Sequence, residues 1–453
     1  MQILLLIFHF ATLHKNDIIS SMNRTCFIPV LALLLSFMIF SCSRTSDATA
    51  DRKEKNLRKS SQMLYSALET EKQEKKLALE RLSAKTSLHD KVCQMFIENL
   101  EGDTVFVPVE KDYIPGGYLF FSYNLAETPE DIIKFTDSIR SYCVKRHVIP
   151  PFLAVDQEGG YVNRLRTVAG PLPSASRVSS KMSVEAAYKL YSSQAQEMKS
   201  LGFNMNIAPV IEVQTPENEK FLNGRSFGSF LNVRNYGTAC INAFENRGIG
   251  AVIKHFPGNT NTDPHTGLPE IRLSEEEMQE AVRPFKSLAR IFPSGVLMSH
   301  ARTLVVESGV PACFSHAWVT DKLRNEFDFD GIIFSDDIFM GALAFNGYPP
   351  DEAAVKAVEA GVNCIMISEK RISGPAKVLV EKARKNPEFA ALIDESFRKI
   401  ILYKIRANIL EYHRTDAGEL VIVGADKAEP VSSRLEKFQK AKAKNIDLYQ
   451  TYF

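Results

Sequence analysis

The chain has 453 residues, and its 55 Lys and Arg against 54 Asp and Glu leave a formal charge of +1, which excludes a global field able to gather nucleic acid. Hydrophobic residues at 45%, with 23 Gly and 21 Pro, exclude wholesale disorder, a collagen-like repeat and a multi-span membrane protein. The length divides into about three domains at roughly 150 residues each, although one α/β barrel with extensions also absorbs it.

The first element in chain order is an address. From Met22 the chain shows a basic start at Arg24, an apolar run from Phe27 to Phe40, and then Ser41-Cys42-Ser43, the pattern of a secretory signal with a cysteine at the cut. The run is too short to span roughly 30 Å of hydrocarbon, and the Ser/Thr/Asp/Lys-rich stretch after it fits a tether. Ile39-Phe40-Ser41-Cys42 is similar to the lipobox of bacterial lipoproteins, with Phe40 bulkier than usual. That resemblance implies Cys42 as the lipidated N-terminus, held to a membrane of the bacterial cell envelope by its acyl chains. A plain signal peptide or an uncleaved anchor helix is the alternative. A second apolar run, Ile3 to Phe10, has no basic residue before it, so translation is expected to begin at Met22 and residues 1–41 to lie outside the fold.

Residues 42–87 are expected to form the tether and a charged helical spacer: Lys and Glu dominate 51–85, with Leu57, Leu64, Leu68, Leu79 and Leu82 at loose helical intervals. From Leu88 apolar runs of strand length alternate with amphipathic segments of helix length, the βα signature. Strands are expected at 117–122, 152–156, 203–209, 251–256, 295–300, 331–335 and 362–367, with an eighth near 92–97 or 104–107 closing the ring. Near-continuous apolar runs fit a buried parallel sheet, so 88–412 reads as a single-domain TIM-type (β/α)8 barrel. Residues 413–453 read as a C-terminal tail with a short strand at 419–423 and a Lys-rich amphipathic end. The seven Cys show no CxxC pair and no zinc-ligand spacing, so neither a disulfide framework nor a structural metal is expected.

A parallel barrel keeps its chemistry at the carboxyl ends of the strands. Five successive candidates deliver polar groups there: Asp156-Gln157-Glu158-Gly159-Gly160 with Arg164 and Arg166; Asn223-Gly224-Arg225-Ser226-Phe227; Lys254-His255-Phe256-Pro257-Gly258 followed by Asp263-Pro264-His265; Ser299-His300; and Ser335-Asp336-Asp337. Carboxylates beside Lys and Arg both accept from and donate to adjacent hydroxyls, which suits a sugar. A carboxylate also supplies a nucleophile or stabiliser for glycoside cleavage. Asp263 and His265, two apart, form a dyad in which the acid fixes the imidazole tautomer.

Jointly these motifs, over roughly 88–409, resemble the family three glycoside hydrolases, and among them the β-N-acetylglucosaminidase branch that acts on peptidoglycan fragments. The resemblance implies a (β/α)8 barrel, Asp336 as nucleophile, His265 as acid/base with Asp263 as its partner, and Asp156, Arg164, Arg225, Lys254 and His255 as groups that bind sugar hydroxyls and the N-acetyl region. It implies an exo-acting retaining enzyme that needs no cofactor. The chain departs from the branch at Asn259-Thr260, where His-Gly is usual, in a shorter loop before Asp263, and in Pro264 within the dyad.

Several alternatives stay open on the residues themselves. Asp336 also suits a helix N-cap, a role that Ser335 and Asp337 fill equally well. His300 reads as a core-edge histidine as readily as a pocket residue. His255, Asp263 and His265 as a metal site lack any compact ligand spacing, and Lys254 would set a positive charge beside the ion. A Schiff base on Lys254, a β-glucosidase or phosphorylase of the same fold, and a sugar-binding lipoprotein without turnover are the rival activities.

Overall fold

A computed structural model describes residues 48–262, 267–425 and 429–453, so the lipobox with Cys42, and Asp263 to Thr266, lie outside the described residues. The described residues form two units that divide between Ala78 and Leu79. The Lys/Glu-rich stretch is one helix, Ala48–Lys85, in which Lys75 pairs with Glu71 one turn earlier at 2.7 Å. Among the described residues no helix is long and apolar enough to cross a membrane.

The second unit is built on parallel strands: β1 (Phe96–Glu98), β2 (Gly117–Phe120), β3 (Phe152–Val155), β4 (Met205–Asn206), β5 (Gly250–Phe256), β6 (Gly295–Met298), β7 (Ile332–Phe334) and β8 (Ile365–Ile367). Each pairs in parallel with the next from β1 to β7, and β1 also pairs with β8. Between β7 and β8 the ring is held by one bridge, Phe334 to Cys364, and by the N–H of Ser335 donating to the Cys364 carbonyl at 3.0 Å. The result is a nearly closed eight-strand barrel. Every residue of these strands is buried, as expected where helices cover the outside and side chains fill the inside. Phe152 and Phe334, from opposite sides of the ring, meet edge to face at 6.2 Å. Gly117 makes room for them, since a Cβ there would lie 2.1 Å from the Phe152 ring.

All seven strands expected from the apolar runs are present, six of them shortened at their ends and the one expected at 251–256 starting a residue earlier, at Gly250. The eighth overlaps the first of the two expected segments only at Phe96 and Ile97. Val92 to Gln94 finish a helix, Leu88–Gln94, and only Phe96–Glu98 is strand, while 104–107 is irregular. No helix joins β1 to β2, and the segment before β7 is a π-helix, Ala317–Glu326. Several helices begin on side-chain caps that satisfy otherwise unpaired N–H groups: Thr128 on Asp131, Ser183 on Ala186, and Ser274 with Glu277 in a reciprocal capping box.

The residues after 409 pack onto the barrel. A hairpin, Leu410–Arg414 with Leu420–Gly424, precedes a helix, Val431–Tyr452. On that helix Arg434 donates to the Ser200 carbonyl and to Asp137, and Asn445 donates to Glu197 at 2.9 Å.

Candidate active site

The sequence folds the Asp156 motif back on itself. After β3 a tight hairpin pairs Gln157–Gly159 with Val162–Asn163, and its turn needs φ of +98° at Gly159 and +59° at Gly160. A Cβ on Gly159 would lie 2.2 Å from the Pro173 carbonyl oxygen, so the glycine pair is there for this turn. Alternation puts Asp156 and Glu158 on one side and Gln157 on the other. Gln157 is buried and accepts the N–H of Leu165 at 3.1 Å, which returns Arg164 to within 3.7 Å of Asp156.

Lys254 comes from the end of β5 and reaches both carboxylates, at 2.8 Å to Asp156 and 2.7 Å to Glu158. Arg225 grips Glu158 with two parallel bonds of 2.7 and 2.9 Å. Consecutive strand residues normally face opposite ways, yet Lys254 and His255 both join this cluster. A bulge explains it: between Lys254 and Phe256 the register against β6 slips by one residue, which re-aims the side chains. His255 Nε2 lies 3.4 Å from Arg225, which only donates, so the ring proton sits on Nδ1 and is given to Glu212 at 2.7 Å.

Burial alone would push the Glu158 carboxyl up, but Lys254 and Arg225 overcome it and hold it at about 2. Burial would likewise lower Lys254, and Asp156 and Glu158 outweigh it, so the ammonium persists. The depressed Glu158 value contributes stability that is complete above the carboxyl's ordinary 4.5 and is lost as the pH falls towards 2. Glu158→Gln leaves Arg225 without its carboxylate and Lys254 with Asp156 alone, and is expected to cost about 3–5 kcal/mol at neutral pH in urea unfolding. An unchanged midpoint would show that the cluster does not hold this rim together.

Asp336 stands two residues beyond β7 on the same rim. It is not a helix cap, because the next helix starts at Gly341 with Met340 before it. Its neighbours do the turn's structural work: Ser335 Oγ accepts the N–H of Met366, and Asp337 Oδ1 accepts those of Phe339 and Ser368, all at 3.0 Å. Asp336 accepts the N–H of Asp337 at 2.9 Å and is half-buried. His300 is structural: it is buried, and its Nε2 donates to the Asp337 carbonyl at 2.9 Å. Nδ1 is then the acceptor for the Cys313 thiol at 3.2 Å, whose proton is retained because burial and then Asp336 push the thiol well up. Cys313→Ala leaves Nδ1 without its donor and is expected to lower stability by about 1–3 kcal/mol, with Cys313→Ser restoring most of it in the same denaturation assay.

The root of the loop that carries Asp263 and His265 is described. Asn261 Oδ1 accepts the N–H of Lys220 at 2.9 Å and of Phe221 at 3.2 Å, and its amide donates to the Pro216 carbonyl. A cavity of about 980 Å³ lies beside this root, between Glu212, Gly258 and the helix Glu275–Ala289. No group of His, Cys, Asp and Glu able to hold a metal ion occurs among the described residues.

Residues 87–402 match the glycosyl hydrolase family 3 N terminal domain. The chain belongs to glycosyl hydrolase family 3. It is 25% identical over 332 residues to beta-hexosaminidase LpqI of Mycobacterium tuberculosis, covering 71% of this chain and 84% of that protein. With beta-hexosaminidase A of Pseudoalteromonas piscicida it shares 29% over 281 residues, 56% of this chain, and spans only 46% of that relative's length. Among solved structures, a family 3 beta-N-acetylglucosaminidase from Paenibacillus sp. str. FPU-7 superposes with a TM-score of 0.66 at 26% identity, covering 80% of this chain and 69% of the other.

Within this family 3 barrel, then, Asp156, Arg164, Arg225, Lys254 and His255 lie in one network, and Asp336 occupies the same rim beyond β7. Two members of the network were not singled out by the sequence reading. Glu158 lies inside a quoted motif, and the alternation that placed Asp156 on the rim applies to it equally. Glu212 is a single acid in the apolar stretch 207–213, beyond the point where the strand was expected to end.

Proposed function

We propose that this chain is an exo-acting, retaining β-N-acetylglucosaminidase that removes terminal β-linked N-acetylglucosamine from peptidoglycan-type or chitin-type fragments. Asp336 attacks the anomeric carbon while His265, oriented by Asp263, protonates the departing oxygen. The glycosyl-enzyme ester then yields to a water from which His265 takes the proton. Both the nucleophile and the acid are side chains, so the reaction calls for no cofactor. Asp156, Arg164, Arg225, Lys254 and His255 grip the sugar's hydroxyl and N-acetyl groups.

The observation that carries this reading is the division of labour around Asp336: Ser335 and Asp337 hold the turn, and the carboxylate between them stays available beside a rim of paired charges. The names of the β-hexosaminidase relatives support the choice of sugar. We also place the protein in the bacterial cell envelope as a lipoprotein anchored through Cys42, which the mass of its mature N-terminal peptide tests. The decisive experiment is hydrolysis of aryl glycosides by protein starting after Cys42. Preference for N-acetylglucosaminide over glucoside supports the reading, glucosyl preference reassigns the sugar, and glycosyl phosphate formed on adding phosphate reassigns the acceptor. Tight binding without turnover would leave a sugar-binding lipoprotein.

A further inference from the structure

The same rim carries two aromatic side chains that the ion-pair cluster does not use. Phe121 follows β2 directly, and Tyr123 lies in the single turn Ser122–Asn124 after it. Their rings are nearly parallel, 5.7 Å between centroids and 8° between planes. Tyr123 is 61% exposed, yet it is not loose. Its hydroxyl donates to Asn99 at 2.8 Å, and buried Asn99 donates in turn to the Leu119 carbonyl at 3.1 Å and to Asn124 at 2.9 Å. Holding a mostly exposed ring in one orientation costs side-chain freedom that its limited burial returns only in part.

The strip is continuous with the sugar-holding cluster. The Arg164 guanidinium lies 5.5 Å from the Phe121 centroid and 3.7 Å from Asp156. Arg164 Nε is buried without a hydrogen-bond partner, a donor left over where the strip begins. At the far end, beyond β8, Lys370 lies 5.9 Å from the Tyr123 centroid. Each cation already has a carboxylate, Asp156 for Arg164 and Glu101 for Lys370 at 2.8 Å, so the strip offers ring faces and compensated charge.

We propose that Tyr123, backed by Phe121, is a stacking platform for the leaving-group side of the substrate, and that its occupant is an uncharged pyranose ring joined to the terminal sugar. The inference rests on the glycosidase reading. A β-linked pyranose of gluco configuration keeps its hydroxyls near the ring plane and turns axial C–H groups to its faces, and those weakly positive hydrogens match the negative face of an aromatic ring. The compensated charges favour a neutral sugar over an acidic one.

The test compares wild type, Tyr123→Ala and Tyr123→Phe on methyl N-acetyl-β-glucosaminide and on the β-1,4-linked N-acetylglucosamine disaccharide, which alone places a second ring on the strip. Tyr123→Ala is expected to lower kcat/KM on the disaccharide roughly three- to tenfold and to leave the methyl glycoside within about twofold, with Tyr123→Phe close to wild type. The methyl glycoside doubles as the control for folding. An equal loss on both substrates, or none on the disaccharide, overturns the platform while the glycosidase reading stands. A wild type inactive on both removes the glycosidase reading and the platform with it.

Discussion

Asp336→Asn is expected to abolish turnover, by a factor on the order of 10⁴ or more, in a protein that unfolds at the wild-type denaturant concentration. The two parts of that expectation come from different observations. An amide cannot form the glycosyl ester, so the covalent route closes altogether. Asparagine nevertheless keeps an oxygen where Asp336 accepts the Asp337 N–H, and the turn itself hangs on Ser335 and Asp337. A half-buried residue with so small a structural share is expected to shift stability by no more than about 0.5 kcal/mol. A fluorosugar inactivator should correspondingly label Asp336 in the wild type. Label on another carboxylate, or a variant that retains turnover, would move the nucleophile elsewhere.

How far the sequence could reach is clearest at three places. The long apolar runs disclosed the strands because a strand covered on both faces has no polar positions to interrupt it. The run 92–97 located β1 but not its bounds, because one apolar stretch is shared by the end of a helix and the start of a strand, and periodicity needs more residues than either piece offers. Around the site, residues at strand ends were legible since a charge there would otherwise be buried without a partner. Which charge meets which was not, because the Lys254 and His255 pair depends on a bulge, and a bulge is a property of two strands together. Glu212 illustrates the same limit. Its significance comes from His255, 43 positions away, whose ring it orients.

His265→Ala is expected to separate substrates by their leaving groups. A sugar hydroxyl departs as a poor anion unless it is protonated, so loss of the general acid should lower turnover on natural β-linked disaccharides by roughly 10²–10⁴. A nitrophenolate departs without help, and its release should be nearly as fast as in the wild type. The second half-reaction still lacks its base, so the glycosyl ester on Asp336 should accumulate and appear as a burst of nitrophenol followed by slow turnover. Azide, which attacks without giving up a proton, should then restore the steady rate and yield a β-glycosyl azide. Pro264 within the dyad leaves this division between substrates unchanged, because the division depends on the leaving group alone. Equal losses on disaccharide and nitrophenyl glycoside, without burst or azide rescue, would remove His265 from the proton's path and leave the acid to be sought among the other groups on the rim.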